Sequence, residues 1–388
     1  MPRVRPFRAV RYAQATRLSR LLCPPYDIIP KKTAQRLRRE PFNAIHLELP
    51  SGQNPKSYRR ARNLWDSWLA LGVLRRDPSP FLYMCEQAFG KKRRLGLFVD
   101  LSLSRKASRI VPHERTFSKP KADRLELLKA MGANTSPIFG IVDDRGGRLL
   151  AALRKIARGR PIGEGKDPAG GRVRLWAVPA PGTLARALAP RSLLIADGHH
   201  RFQVSADYAA SLGKDIGCLA YICSEADPGL LLLPTHRVVT PASPLFQRIR
   251  AACELRPVYS RSAMERGLKG DLLGLFLNRR RWLATPLPTL SPMGEGFLAV
   301  ECLARVLDPE RAEVAYTHDA AEAEAIATKK KGLAVLLPAP TVKDVRAAVA
   351  KRGLLPQKST YFFPKVPTGL VFRELNQNTL YPNPPLNE

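Results

Sequence analysis

The sequence predicts an α/β protein of the α+β kind, with mixed sheets, in two domains. Three observations carry this expectation. The 388 residues exceed the usual single-domain length. A hydrophobic content of 45% suffices for a substantial core. Short apolar runs alternate with helically spaced segments, most plainly where "RSLLIA" leads into "DGHHRFQVSADYAASLG".

The elements follow in chain order. "CPPYDIIP" reads as a loop pinned by prolines, because Pro-Pro forces extended backbone. In "SYRRARNLWDSWLALGVL", Leu64, Trp65, Trp68, Leu69 and Leu71 recur at helical spacing, and Gly72 is a C-terminal stop. "PFLYMCEQAFGKKRRLGLFVDLSL" predicts a hairpin turning at Gly90. After the polar "PHERTFSKPKADR" comes a helix with Leu125, Leu128 and Met131 on one face, then a strand ending at Asp143. The Gly/Pro-rich residues 158–172 read as a surface loop. The "GEG" within them is no dinucleotide fingerprint, because Pro168 stands where the third glycine belongs.

"RSLLIA" is a buried strand, followed by a helix with Phe202, Ala206 and Ala209 on one face and Gly213 at its end. "CLAYICS" and "LLLLPTHRVV" predict a second hairpin. Composition shifts near residue 245, separating a motif-bearing domain, 1–245, from a smaller α/β domain, 246–388. Residues 285–296, "TPLPTLSPMGEG", read as a low-complexity insertion outside the core. "GLAVLLPAP" is a strand, and "TVKDVRAAVAKRG" a helix capped by Thr341 and Gly353. "LPQKSTYFFPKVPTGLVF" is expected in extended form.

The charge balance is unusual: 64 Lys plus Arg against 33 Asp plus Glu, a net +31. Such an excess favours polyanions through counterion release, so nucleic acid is a possible partner. The plainer explanation is arginine spread over solvated faces. The basic residues run along the whole chain, with short clusters at 91–94 and 278–282 and no aromatic-interleaved stripe. Six cysteines without a C-x-x-C predict buried thiols in a reducing compartment, the cytoplasm, and neither a disulfide framework nor a metal site. No apolar run approaches membrane-spanning length, so no membrane partner is expected. The Arg-rich N-terminus lacks the apolar core of a secretory signal.

A strand that ends in Asp197 and Gly198 and feeds a helix aims first-turn amides and the positive helix end at one point. Gly198 lets backbone approach a ligand, and Arg201 adds a forked cation suited to phosphate oxygens. Asp197, Gly198, His199, His200 and Arg201 thus form a candidate phosphate cradle. The competing explanation is a turn with an N-cap. Consecutive His199 and His200 diverge by about 100° on a helix, which disfavours a shared metal.

A second patch holds His113 and Glu114, candidate base and orienter, with Thr116 and the anion-facing Lys119, Lys121 and Arg124. Its plain alternative is a solvated loop capped by Asp123. His236 and Arg237 follow an apolar strand, and Lys358, Ser359 and Thr360 sit beside aromatics without the glycines of a P-loop. Asp27, after two prolines, is either a positioned carboxylate or a turn-former. No G-x-S-x-G elbow or H-E-x-x-H pair occurs, which disfavours those hydrolase classes.

"CPPYDII", "PHERTFSKPKADRLELLKA", "ANTSPIF", "IADGHHRF", "LPTHRVV" and "PQKSTYFFPKVPTGLVF" occur in this order over nearly the whole chain. Together they resemble the bacterial and archaeal family known as domain of unknown function 1015. The "DGHHR" element is similar to the phosphate-contacting motif of the ParB/sulfiredoxin-like superfamily, which includes the free-serine kinases. That resemblance implies a ParB/sulfiredoxin-like core in the first domain and a nucleotide, ATP or ADP with Mg²⁺, whose phosphates meet the cradle. It adds Asn134 and Ser136 of "ANTSPIF", with His236, Arg237 and Lys358, as candidate substrate contacts. His199 occupies the place of the sulfiredoxin nucleophilic cysteine, which argues against that chemistry. Phe202 and Gln203 replace the Tyr-Glu usual in the family after the arginine.

The leading expectation is phosphoryl transfer from a nucleotide to a small hydroxyl acceptor such as serine, a reaction needing positioning and charge neutralisation above all. His113 or His200 would neutralise developing charge, and Glu114 or Asp27 would accept the proton. The alternatives are a ParB-like nucleotide- and DNA-binding regulator, and a binding protein with an inert site.

Overall fold

The computed structural model describes residues 4–14, 18–103, 110–115, 118–179, 184, 192–292, 296–308 and 312–375, with only the backbone at 118–120. It confirms an α/β architecture of mixed sheets. The chain divides into two units: residues 1–112, 116–230 and 364–388 form the first, residues 113–115 and 231–363 the second.

The first unit is built on a nine-stranded sheet. Its strands are β1 (Val4–Arg5), β2 (Phe81–Phe89), β3 (Lys92–Leu101), β4 (Ile110–Val111), β5 (Ile138–Val142), β6 (Gly163–Lys166), β7 (Arg172–Pro179), β8 (Leu193–Asp197) and β9 (Cys218–Ser224). They lie in the order β4-β8-β5-β9-β3-β2-β7-β6, with β1 paired to β3. Only β4/β8 and β5/β9 are parallel among these pairs. The predicted hairpin of β2 and β3 is present, and Gly90 takes the φ of +53° that its turn requires. Leu97, Val99, Ile138, Leu193 and Ile222 build the core beneath Leu149 and Leu153.

Helix α1 (Pro55–Ala70) starts at Asn54, whose side chain accepts from Ser57 N, and buries Trp65 and Trp68. Leu64 and Leu71 of its predicted stripe are exposed instead, because the tryptophans alone fill that face. Helix α2 (Ser118–Met131) buries Leu128 and Met131, as its spacing predicts. Helix α3 (Arg148–Ile156) covers the sheet. Helix α4 (His199–Ser211) buries Val204, Ser205 and Ala209, a face rotated from the one expected.

Three local expectations change. Residues 158–172 are not all loop: β6 pairs antiparallel with β7 as an edge strand. "CLAYICS" is β9, and its partners are β3 and β5, so no hairpin joins it to the strand at His236. Periodicity does not say which apolar run a strand will pair with. In the 285–296 stretch, Leu290 is buried, so a segment without periodicity still contributes to a core.

The second unit carries a fully antiparallel sheet of β10 (His236–Thr240), β11 (Cys253–Val258), β12 (Leu273–Leu277), β13 (Arg280–Pro286), β14 (Glu313–Thr317) and β15 (Leu333–Leu336). Its order is β11-β13-β12-β15-β10-β14. The unit also holds α5 (Ala299–Val306), α6 (Ala320–Lys330) and α7 (Val342–Arg352). Thr341 and Gly353 cap α7 as predicted. All six cysteines are buried free thiols. No described helix is long and apolar enough to cross a membrane.

Candidate functional site

The strand–turn–helix read from "LLIADGHHRF" is present in the first unit. The β8/β5 register shifts between Ile195 and Asp197, an irregularity of the kind that re-aims the last strand residue. Gly198 then takes φ +84°, and α4 begins at His199. A Cβ at Gly198 would stand 3.1 Å from Arg201 Nε, so the glycine is needed for both conformation and space.

Asp197 is held between two cations. Arg201 Nη2 donates to its Oδ2 at 2.8 Å, and Lys365 Nζ donates to its Oδ1 at 2.6 Å. Arg201 Nη1 also donates to the Pro137 carbonyl. The side chains of Asp197, Arg201 and Lys365 are only 14%, 11% and 10% exposed. Burial alone would raise the Asp197 pKa, but Lys365 and Arg201 hold its carboxyl well below the usual carboxylate range. Burial works against the Arg201 charge, yet Asp197, then Asp27 and Glu48, raise its pKa further. One donor is left over: Arg201 Nε is buried and has no partner among the described residues.

The proline-pinned turn Tyr26–Ile28 belongs to this charge cluster. Asp27 is exposed there, and its carboxylate acts electrostatically on Arg201. Burial pushes the Tyr26 phenol up to about 12. Arg124 stacks 4.2 Å over the Tyr26 ring and donates to the Glu48 carbonyl at 2.8 Å. Glu48 is fully buried and accepts from Thr135 Oγ1 at 2.6 Å and Ser136 Oγ at 2.8 Å. Ser136 therefore braces the floor. Asn134 does the same, accepting from Leu219 N at 3.0 Å and Arg373 Nη1 at 3.3 Å. Lys121 is half-buried on α2. His199 is buried at the start of α4, and His200 is half-buried beside it. Thr116 and the side chain of Lys119 lie outside the described residues.

The other predicted residues belong to the second unit. Buried His113 shares a 2.8 Å hydrogen bond with Thr360 Oγ1 and stands 3.5 Å from Glu114 Oε1. Glu114 accepts from Thr360 N at 3.0 Å, Thr360 Oγ1 at 3.1 Å and Lys358 N at 3.3 Å. Arg237 donates to the Lys358 and Gln357 carbonyls at 2.9 and 3.3 Å. Burial lowers its pKa to about 10. These groups together clamp a loop in which Lys358 adopts φ +55°. His236 Nδ1 accepts from Leu337 N at 3.1 Å, and burial, then His318 and Arg237, lowers its pKa to about 4.

Sequence reasoning missed Lys365 and Glu48. Lys365 closes "YFFPK", inside a motif already singled out; Glu48 carries no local signal, since only its burial beside Thr135 and Ser136 distinguishes it. Among the described residues no group of three or more His, Cys, Asp or Glu is placed to hold a metal.

These features define an α/β protein whose first unit carries a nearly buried Arg–Asp–Lys cluster at a strand-to-helix turn. Residues 4–310 match the family described as protein of unknown function DUF1015, and the chain belongs to that family. No curated protein matches it. Among solved structures it is similar to a conserved hypothetical protein from Pyrococcus furiosus, at 18% identity over 73% of this chain and 97% of that one, with a TM-score of 0.41. It is similar to a free serine kinase in complex with AMP at 15% identity, over 76% and 96% of the chains, TM-score 0.44. SbnI with a C-terminal truncation, from Staphylococcus aureus, aligns at 11% identity over 70% and 87%, TM-score 0.42. Likeness at this level says nothing about what the site does.

Proposed function

We propose that the first unit binds the phosphates of a nucleotide and transfers a phosphoryl group to a small hydroxyl compound such as serine. The observation that carries this reading is Arg201 Nε, a buried and unpartnered donor on a guanidinium already fixed by Asp197 and Pro137. A buried donor left bare costs about 1–3 kcal/mol, and a phosphate oxygen would satisfy it. Lys365 supplies a second cation, and the glycine at the start of α4 leaves room for close approach.

Asp27 suits the base. It is exposed on a rigid turn, whereas the oxygens of Glu114 are engaged by the 358–360 loop. In the step, the acceptor oxygen bonds to the terminal phosphorus while the bond to the bridging oxygen breaks. The acceptor proton passes to Asp27, and the leaving nucleotide keeps the electron pair. Mg²⁺ takes most of its oxygens from phosphates and water and needs one or two carboxylates, for which Asp27 is the exposed candidate. When bound it would neutralise phosphate charge.

The test is turnover of ATP and ADP with Mg²⁺ and serine. Asp27→Asn should slow transfer at least a hundredfold, the low end for a general base, with nucleotide affinity kept. A comparable loss in Glu114→Gln, with Asp27→Asn active, would move the base to the second unit. The net charge of +31 favours the rival DNA-linked regulator. That reading prevails if turnover responds to duplex DNA and ignores hydroxyl acceptors.

A further inference from the structure

The second unit contains a cavity of about 450 Å³ that the proposed transfer does not use. Ala299 and Val300, the first two residues of α5, line it. Their amides belong to the first helical turn, which has no intrahelical acceptor for them. The residue before them, Leu298, has no polar atom with which to cap the turn. Leu298 N is taken by Glu301 Oε2 at 3.0 Å, and Glu301 N and Cys302 N are taken by Leu298 O at 2.8 and 3.2 Å. The two remaining donors sit on residues only 3% and 6% exposed, and no described side chain caps them.

A second, independent feature points into the same space. Thr235 lines the cavity, is 4% exposed, and its Oγ1 has no partner among the described residues. Glu301, the acid nearest the helix start, is neutralised by Arg352, whose Nε and Nη2 donate to it at 2.8 Å each. Lys351 adds a cation at the wall, while Phe297, Leu337 and Ala347 supply apolar surface. Unmet donors, a positive helix end and an apolar wall describe a receptor for an oxyanion on a small apolar body.

We propose that this cavity binds a small organic anion, its carboxylate or phosphoryl oxygens accepting from Ala299 N, Val300 N and Thr235 Oγ1. The volume lies within the range of small-molecule sites and would suit a body of a few carbon atoms. The site is independent of the Arg201 cluster and stands or falls separately from the phosphoryl-transfer reading.

Calorimetric titration of the full chain tests it, with isovalerate against its neutral isostere isovaleramide, and glycerol 3-phosphate against glycerol. Arg201→Ala is titrated in parallel, so that phosphate bound in the first unit is recognised. Ala299→Pro removes one donor at the helical position where proline is tolerated, after a residue already extended at ψ 146°. Thr235→Val removes the hydroxyl with little change of shape. At least one anion should bind wild type and Arg201→Ala alike, with its neutral partner inert, and Ala299→Pro or Thr235→Val should weaken it at least tenfold at unchanged melting temperature. Which anion binds assigns carboxylate or phosphoryl chemistry. No binding by either anion, equal binding by the neutral partners, or full affinity in both variants overturns the proposal.

Discussion

Lys365 and Asp197 stand 168 positions apart in the chain and form a 2.6 Å ion pair in which the carboxylate also receives Arg201. Two cations on one buried acid leave a net positive centre at the start of a helix. That arrangement costs stability on its own and gains when an anion arrives.

Removing Lys365 leaves Asp197 with Arg201 alone. Lys365→Met should therefore destabilise the chain by about 2 kcal/mol, less than the 3–5 expected when a buried charge loses its only partner. It should also weaken nucleotide binding. Because the folded Asp197 pKa is depressed, its contribution is complete above the unfolded value near pH 4 and fades as pH falls toward the folded one. Denaturant titrations across pH 2–5 should show Asp197→Asn with a flatter acid limb than wild type. Identical limbs would mean the triad does not hold.

Gly198→Ala meets two obstacles: φ of +84° and the Arg201 guanidinium 3.1–3.2 Å away. The strained backbone should cost about 1 kcal/mol. Displacement of the guanidinium should lower nucleotide affinity at least tenfold. Binding at wild-type strength would show that the turn is only a turn.

His236 is neutral when folded, its pKa lowered to about 4 by burial, then by His318 and Arg237. The unfolded chain takes up the proton near pH 6.5, so stability is full above that value and falls as pH drops toward 4. The loss is on the order of 3 kcal/mol. His236→Asn keeps an acceptor for Leu337 N and should remove most of that slope in urea titrations. An unchanged slope would place the titration elsewhere.

Much of the local structure was legible. The Trp65 and Trp68 stripe, the turn at Gly90, the Thr341 and Gly353 caps and the Asp-Gly junction each depend on interactions within a few residues. The errors share one cause. The partners of β9, the burial of Leu290 and the exposure of Leu64 depend on what packs from distant parts of the chain. Nothing in a pattern of polar residues showed that Glu114 and Arg237 clamp the same loop from its amides and its carbonyls.

The sequence by itself determined where polar chemistry meets a strand end, because a glycine at positive φ and a helix start are written in neighbouring residues. It also determined the family, through motifs in a set order. Only the tertiary structure decided that Lys365 reaches Asp197, that Glu48 is satisfied by Thr135 and Ser136, and that Arg201 keeps one donor unmet. Those are properties of space: charges far apart along the chain become partners only when burial removes the water between them.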